Sequence, residues 1–129
     1  MFSTRTPSGW LIAAMFALAA TQATAAEPAI RYQTVEIDGL EIFYREAGPT
    51  DAPTVLLLHG FPTSSHMFRD LIPRLAEKYH VIAPDYPGYG YSSAPSVDDF
   101  DYTFDNLAKV VTKFIDKVGI ERYSLYLMD

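Results

Sequence analysis

Cysteine is absent from this 129-residue sequence. Without it, disulfide bonds, thiolate zinc sites and a cysteine nucleophile are all excluded. Basic residues are also scarce, because ten Lys and Arg face sixteen Asp and Glu and leave a formal net charge of −6. This acidity disfavours nucleic acids and anionic membrane surfaces as partners. Apolar residues are not scarce: they make up 49% of the sequence, which predicts a packed core rather than a disordered chain.

The sequence also lacks a hydrophobic run long enough to span a bilayer. The longest one, Trp10 to Ala20, covers 11 positions, whereas a spanning helix needs about 20. Arg5 precedes this run, and the small residues of Ala23-Thr24-Ala25 follow it, as in a secretory cleavage site. We therefore predict a signal peptide over residues 1–25 and an exported domain, periplasmic or secreted, over residues 26–129, free of the membrane after cleavage. A retained anchor or a misassigned start codon is the alternative.

Beyond this segment, patterns typical of strands alternate with patterns typical of helices. Asp38-Gly39 is a hairpin-turn signal between two strand-like segments, and apolar residues repeat at helical spacing from Leu107 to Val118, directly before Gly119. The predicted elements are strands 33–37, 40–47, 54–58, 79–83 and 123–128, a helical segment 65–78 broken at Pro73, and a helix 103–118. A β-hairpin followed by β-α-β-α-β order predicts an α/β fold with a mostly parallel sheet.

Two turns rich in glycine and proline follow the third and fourth predicted strands. They are His59-Gly60-Phe61-Pro62 and the segment Asp85 to Ser92. In open α/β sheets, ligands bind at the carboxyl ends of the strands. Hydrolysis through a tetrahedral oxyanion needs backbone N–H groups that point at the developing charge. A sharp turn at Gly60 would let the Phe61 N–H do so, with Pro62 fixing the turn; a plain strand-to-helix connection is the alternative.

The two turns carry a family resemblance. The run His59-Gly60-Phe61-Pro62-Thr63-Ser64-Ser65, together with Asp85-Tyr86-Pro87-Gly88-Tyr89-Gly90-Tyr91-Ser92, resembles the α/β-hydrolase superfamily. Within it, the His-Gly-x-Pro turn and the Pro-Thr-Ser-Ser run are most similar to the haloalkane dehalogenase and epoxide hydrolase branch. The resemblance covers about residues 33–129. It implies the N-terminal part of an α/β-hydrolase fold, truncated at the strand that carries the nucleophile.

The resemblance implies two site residues. Phe61 matches the residue whose backbone N–H forms half of the oxyanion site, and Asp129 matches the nucleophile at the end of strand 123–128. In this branch the nucleophile is a carboxylate that attacks carbon and forms an ester, whereas esterases and lipases use a serine there. Leu127 departs from the small residue that usually lies two positions before the nucleophile. Phe61 also lacks the side-chain N–H donor common after His-Gly in haloalkane dehalogenases, which favours epoxide-type or other ester-forming chemistry over halide release.

The other residues of the two motifs receive structural interpretations. His59 is expected to bond backbone groups beneath the site. Asp85 is expected to hold its loop through hydrogen bonds, and Gly88 and Gly90 to shape that loop. Ser92 lies outside a G-x-S-x-G pattern, so it is interpreted as a turn residue.

No metal and no organic cofactor is expected. His66 and His80 lack metal-ligand spacing, and Gly88-Tyr89-Gly90 lacks the third glycine and the helix of a dinucleotide-binding loop. The acidic residues between Asp98 and Asp105 precede a predicted helix, whose N-terminus favours negative charge; calcium binding is the alternative.

The sequence therefore predicts the N-terminal part of an α/β-fold hydrolase that resembles epoxide hydrolases and dehalogenases and acts on a small molecule. A serine esterase or lipase-type hydrolase, and a non-catalytic truncated protein of the same fold, are the alternatives. The general base, its acid partner and the cap that selects the substrate are expected beyond Asp129. We therefore expect the 129-residue chain itself to be catalytically inactive.

Overall fold

The computed structural model of the chain describes residues 28–128. The predicted signal peptide and Asp129 lie outside the described residues. The elements in chain order are β1 (Arg31–Ile37), β2 (Leu40–Ala47), β3 (Thr54–Leu58), a 3₁₀ helix (Ser65–Phe68), α1 (Ile72–Ala76), β4 (His80–Pro84), α2 (Phe104–Lys117) and β5 (Tyr123–Leu127).

The five strands form one mixed sheet in the order β1-β2-β4-β3-β5. β3 pairs in parallel with β4 and with β5, whereas β2 is antiparallel to both β1 and β4. Four strands therefore run in one direction and β2 runs against them. Asp38 and Gly39 join β1 to β2 with φ angles of 52° and 81°, as a two-residue hairpin turn with two positive φ angles requires. The predicted α/β fold and its hairpin are confirmed.

Successive residues of β3 and β4 supply two separate cores because side chains alternate across a sheet. Leu56 and Ile82 pack with Phe114 of α2 on one face, and Leu57 and Val81 pack beneath the 3₁₀ helix and α1 on the other. Both faces of β3 and β4 are therefore covered, which explains why their sequences are apolar without polar alternation.

Helix α2 agrees with the predicted helix to within one residue at each end. It begins after Thr103, whose hydroxyl accepts the Asn106 N–H at 3.3 Å, as an N-cap residue does. It ends before Gly119, which has a φ of 76° and takes the left-handed position that follows a helix.

The predicted helical segment 65–78 is shorter and more irregular than expected. It consists of the 3₁₀ helix and the five residues of α1, and ends at Ala76 rather than Lys78. Pro73 is the second residue of α1, where a missing N–H costs no helical hydrogen bond. Among residues 28–128, no helix has the length and apolar character needed to cross a membrane.

Candidate functional site

The two motif turns lie side by side because β3 and β4 are parallel neighbours. Tyr86 follows β4, and its N–H donates to Nε2 of His59 at 3.2 Å. The rings of His59 and Tyr86 also lie 4.6 Å apart, centroid to centroid. The structure therefore brings the His59–Pro62 turn and the Asp85–Ser92 loop together at one edge of the sheet.

The His59 ring is buried beneath this edge, with 2% exposure. Its Nδ1 lies 3.0 Å from the Gly60 carbonyl oxygen, so Nδ1 carries the proton and donates, while Nε2 accepts from Tyr86. Burial lowers the pKa of His59, although the Gly60 carbonyl and the charge of Asp85 oppose the shift. Both ring nitrogens are occupied by backbone groups, which leaves a neutral imidazole without a free nitrogen for base catalysis.

The turn after His59 exposes a backbone donor. The Gly60 carbonyl oxygen accepts both the N–H and the hydroxyl of Thr63, at 3.1 and 2.8 Å, and the Phe61–Pro62 peptide bond is cis. Among residues 28–128, the Phe61 N–H donates to no other backbone group. Phe61 is 77% exposed, so its ring is available to a ligand.

Gly60 begins a turn that the Thr63 N–H closes, and it does so without a left-handed backbone conformation. It is not among the described residues with a positive φ. The positive φ angles occur instead in the neighbouring loop, at Gly88 with 86° and Gly90 with 53°. A Cβ atom on Gly88 would lie 2.8 Å from the Tyr102 ring, so this loop needs glycine for space as well as conformation.

Asp85 joins the two turns. Its carboxylate is completely buried and accepts the Ser65 N–H at 2.6 Å and the Tyr91 N–H at 2.9 Å. One donor comes from the segment after Pro62, and the other comes from Asp85's own loop. Two charge-assisted hydrogen bonds to a buried carboxylate hold these segments in register.

A cavity of about 540 Å³ opens at this edge and continues between α2 and β5. Phe61, Tyr86 and Tyr89 contribute aromatic rings, while Leu107 and Leu127 contribute aliphatic side chains. The lining contains no Asp, Glu, Lys or Arg among the described residues. An uncharged organic molecule therefore fits this cavity better than an ionic one.

The end of β5 reaches the same edge. Leu127 is opposite Leu58 in the parallel register, and the Met128 N–H donates to the Leu58 carbonyl oxygen at 3.0 Å. In the sequence, Asp129 follows Met128 directly, and His59 follows Leu58 directly. Asp129 itself lies outside the described residues, so its role stays a prediction.

Two residues near the site carried no recognisable signal in the sequence. Arg45 is 5% exposed and donates from Nε to the Ser65 hydroxyl at 3.0 Å, and Ser65 is completely buried. Ser65 was named only as the last residue of the run that follows His59, and Arg45 was not singled out. Their pairing joins residues 20 positions apart, which no local pattern indicates.

Within residues 28–128, no three His, Asp or Glu side chains are grouped as metal ligands would be. The acidic residues between Asp98 and Asp105 thus do not converge on one point. His80 instead contacts the Glu46 carboxylate at 2.7 Å, away from the edge where the two motif turns meet.

Comparison with known proteins gives one consistent result. The family described as alpha/beta hydrolase fold matches residues 53–126. An uncharacterized hydrolase of Saccharomyces cerevisiae is 45% identical over 100 residues, which are 77% of this chain and 34% of that protein. Epoxide hydrolase A of Mycobacterium tuberculosis is 42% identical over 89 residues, or 68% of this chain and 27% of that protein.

A solved structure agrees with these sequences. The haloalkane dehalogenase DbeA from Bradyrhizobium elkani superimposes with a TM-score of 0.69 and is 41% identical, with 77% of this chain and 32% of that chain covered. The chain thus spans about a third of the length of the relatives it matches.

Proposed function

The chain belongs to the alpha/beta hydrolase fold family, and we propose that it forms the nucleophile and half of the anion-binding site of a hydrolase that opens epoxides. In this proposal Asp129 is the carboxylate nucleophile and the Phe61 N–H is one anion donor. The likeness to haloalkane dehalogenases and an epoxide hydrolase supports a reaction through an ester on a carboxylate.

One observation supports the proposal most strongly. The hydrogen bond from the Met128 N–H to the Leu58 carbonyl oxygen joins the two strand ends from which the Phe61 turn and Asp129 continue. Consecutive Cα atoms are about 3.8 Å apart, so Asp129 begins one residue from this bond. An anion donor and a nucleophile must lie this close to act on one small molecule.

The chemistry follows from a carboxylate at that position. A carboxylate oxygen of Asp129 bonds to an epoxide carbon as the C–O bond of the ring breaks, and the alkoxide takes up a proton from solvent water. A second water molecule then loses a proton to a general base and adds to the ester carbonyl, and the resulting oxyanion forms on an oxygen of the former carboxylate. Collapse of this intermediate releases a diol and restores Asp129. The Phe61 N–H stabilises the oxyanion, a contribution of about 2.7–4 kcal/mol for a well-placed donor.

The surroundings of Phe61 favour an epoxide over a haloalkane. A departing halide ion is held best by several N–H donors, and the Phe61 side chain provides none. The cavity lining is uncharged among the described residues and suits either neutral substrate, so the preference depends on the missing halide donor.

Turnover also requires a general base for the water. His59 does not supply it, because backbone groups occupy both of its ring nitrogens. We therefore expect the 129-residue chain to form the ester once and not to hydrolyse it at a catalytic rate.

The test is to incubate the purified chain with a terminal aliphatic epoxide and to locate the adduct by peptide mass spectrometry. We expect one hydroxyalkyl ester on Asp129, lost in Asp129→Asn and retained in Asp116→Asn, which removes an exposed carboxylate of α2. Equal modification of several exposed carboxylates would contradict the proposal. Acylation of a serine by a p-nitrophenyl ester, with Asp129 unmodified, would indicate a serine hydrolase instead.

Export is a separate part of the proposal. A signal peptide cleaved after Ala25 would leave a mature chain that begins at Ala26. N-terminal sequencing of the protein recovered from the periplasm or medium tests this directly, and recovery only of a chain that still carries Met1 would contradict it.

A further inference from the structure

A buried arginine lies behind the two motif turns and has no part in the chemistry above. Arg45 of β2 is 5% exposed, although arginine is rarely buried without partners. Its guanidinium carbon lies 5.0 Å from the ring centre of Tyr32 and 5.5 Å from that of Phe43. Stacking on two rings fixes the side chain in place.

Ser65 connects this cation to a buried anion. Its hydroxyl accepts the Nε–H of Arg45 at 3.0 Å, and its N–H donates to the Asp85 carboxylate at 2.6 Å. Both Ser65 and Asp85 are completely buried. The Asp85 carboxylate also accepts the Tyr91 N–H at 2.9 Å, so the chain of contacts runs from β2 through the 3₁₀ helix to the loop after β4.

We infer that Arg45 is a positioning residue, which through Ser65 and Asp85 holds the turn carrying the anion donor at a fixed place beside the neighbouring loop. The inference rests on the proposed function for the identity of that donor, Phe61. Ser65 comes four residues after Phe61, directly beyond the turn that Thr63 closes on Gly60.

The network has a physical reason to be rigid. A buried carboxylate and a buried guanidinium are each costly without partners, and Ser65 contacts both, one through its N–H and the other through its hydroxyl. Moving Ser65 would weaken both contacts at once. A donor stabilises an oxyanion only within a narrow range of distances, about 2.7–3.1 Å. The reaction therefore depends on the exact position of the turn that carries the donor.

The first test is amide hydrogen exchange in the chain with Arg45→Met, which keeps an unbranched side chain but removes the guanidinium group with its donors and its charge. Arg69→Met is the control, because Arg69 is exposed and directly follows the same 3₁₀ helix. We expect the amides of Ser65 and Tyr91 to exchange at least about tenfold faster relative to Leu56 in β3 only in Arg45→Met. The same relative rates in both variants would overturn the inference.

Two further variants keep the test decisive if Arg45→Met does not fold. Arg45→Lys retains a buried cation but lacks a donor at the Nε position, and is expected to show the same selective exchange at Ser65. Ser65→Ala removes the hydroxyl that accepts from Arg45. In a chain that already carries Ser65→Ala, the further change Arg45→Lys should therefore alter the exchange rate of the Tyr91 amide by less than about twofold. If the effects of the two substitutions on this rate were fully additive, the inference would be overturned.

A spectroscopic readout separates positioning from plain stability. We expect the ¹⁵N–¹H resonance of Phe61 to shift in Arg45→Lys and not in Arg69→Met, and the ester on Asp129 to form at least about fivefold more slowly. An unmoved Phe61 resonance with an unchanged rate would contradict a positioning role. If the wild-type chain forms no ester, the proposed function fails, while the exchange experiment still tests the role of Arg45.

Discussion

Replacing Gly90 with alanine is expected to displace the Asp85 carboxylate and thereby to destabilise the candidate site. Gly90 has a φ of 53°, and a Cβ atom there would lie 1.9 Å from Oδ2 and 2.5 Å from Cγ of Asp85. The methyl group and the carboxylate cannot both occupy that space. Since Asp85 is fully buried, its carboxylate has no solvent into which it can move.

The cost of Gly90→Ala has two parts. The left-handed backbone conformation costs about 1 kcal/mol for a residue with a Cβ atom. Displacing the Asp85 carboxylate also weakens its hydrogen bonds from Ser65 and Tyr91, and a hydrogen bond to a charged group contributes about 1.5–3 kcal/mol. Together these predict a decrease in the free energy of unfolding of about 2.5–4 kcal/mol if one hydrogen bond is lost and about 4–7 kcal/mol if both are lost.

The assay is urea unfolding followed by circular dichroism and tyrosine fluorescence, with Gly39→Ala as the matched control. Gly39 has a φ of 81°, but no atom lies within 4 Å of the position that a methyl group would take there, so only the backbone cost of about 1 kcal/mol applies. Equal losses in Gly90→Ala and Gly39→Ala would refute the argument that the Asp85 carboxylate is fixed.

Three more predictions concern protonation and packing. Burial raises the pKa of Glu46, but hydrogen bonds from His80 and Arg31 outweigh it and lower the pKa below its ordinary value of 4.5. The lowered pKa stabilises the folded chain above pH 4.5, and this stabilisation is lost as the pH falls through the folded-state pKa. Urea unfolding of Glu46→Gln should therefore show a deficit at pH 7 that disappears in acid, whereas a deficit that does not depend on pH would contradict it. Burial lowers the pKa of His59 below 6.5, so its ring resonances should titrate below pH 6.5 in NMR spectra, and a midpoint above that value would contradict the neutral ring. Phe114 is completely buried against the sheet, whereas Phe104 is 92% exposed. Replacement by alanine should therefore lower the free energy of unfolding by about 3–5 kcal/mol at Phe114 and by less than about 0.5 kcal/mol at Phe104. Comparable losses at the two positions would contradict this packing.

Elements with a local cause could be predicted from the sequence. Asp38-Gly39 specifies a turn through its own backbone preferences, and the apolar spacing of α2 with Thr103 and Gly119 at its ends specifies that helix. The buried strands followed by the two motif turns likewise indicated the edge at which the site lies. In each case the signal and the structure involve the same few residues.

Features with a distant cause could not be predicted. The segment after Pro62 begins as a 3₁₀ helix, and the Ser65 N–H there bonds to Asp85, 20 residues away. The burial of Arg45 likewise depends on Ser65 and on the ring of Tyr32 in the neighbouring strand β1. The need for glycine at position 90 depends on the Asp85 carboxylate, which occupies the space that a Cβ atom would take.

The most direct test of the central claim is the distance between the Phe61 amide nitrogen and the nearest carboxylate oxygen of Asp129 in a crystal structure. The tetrahedral intermediate formed when water adds to the ester carries its oxyanion on that oxygen, so the account predicts a separation of about 3 Å. A separation of more than about 7 Å, or an Asp129 carboxylate directed away from the end of β3, leaves no room for a shared reaction centre and would contradict the account.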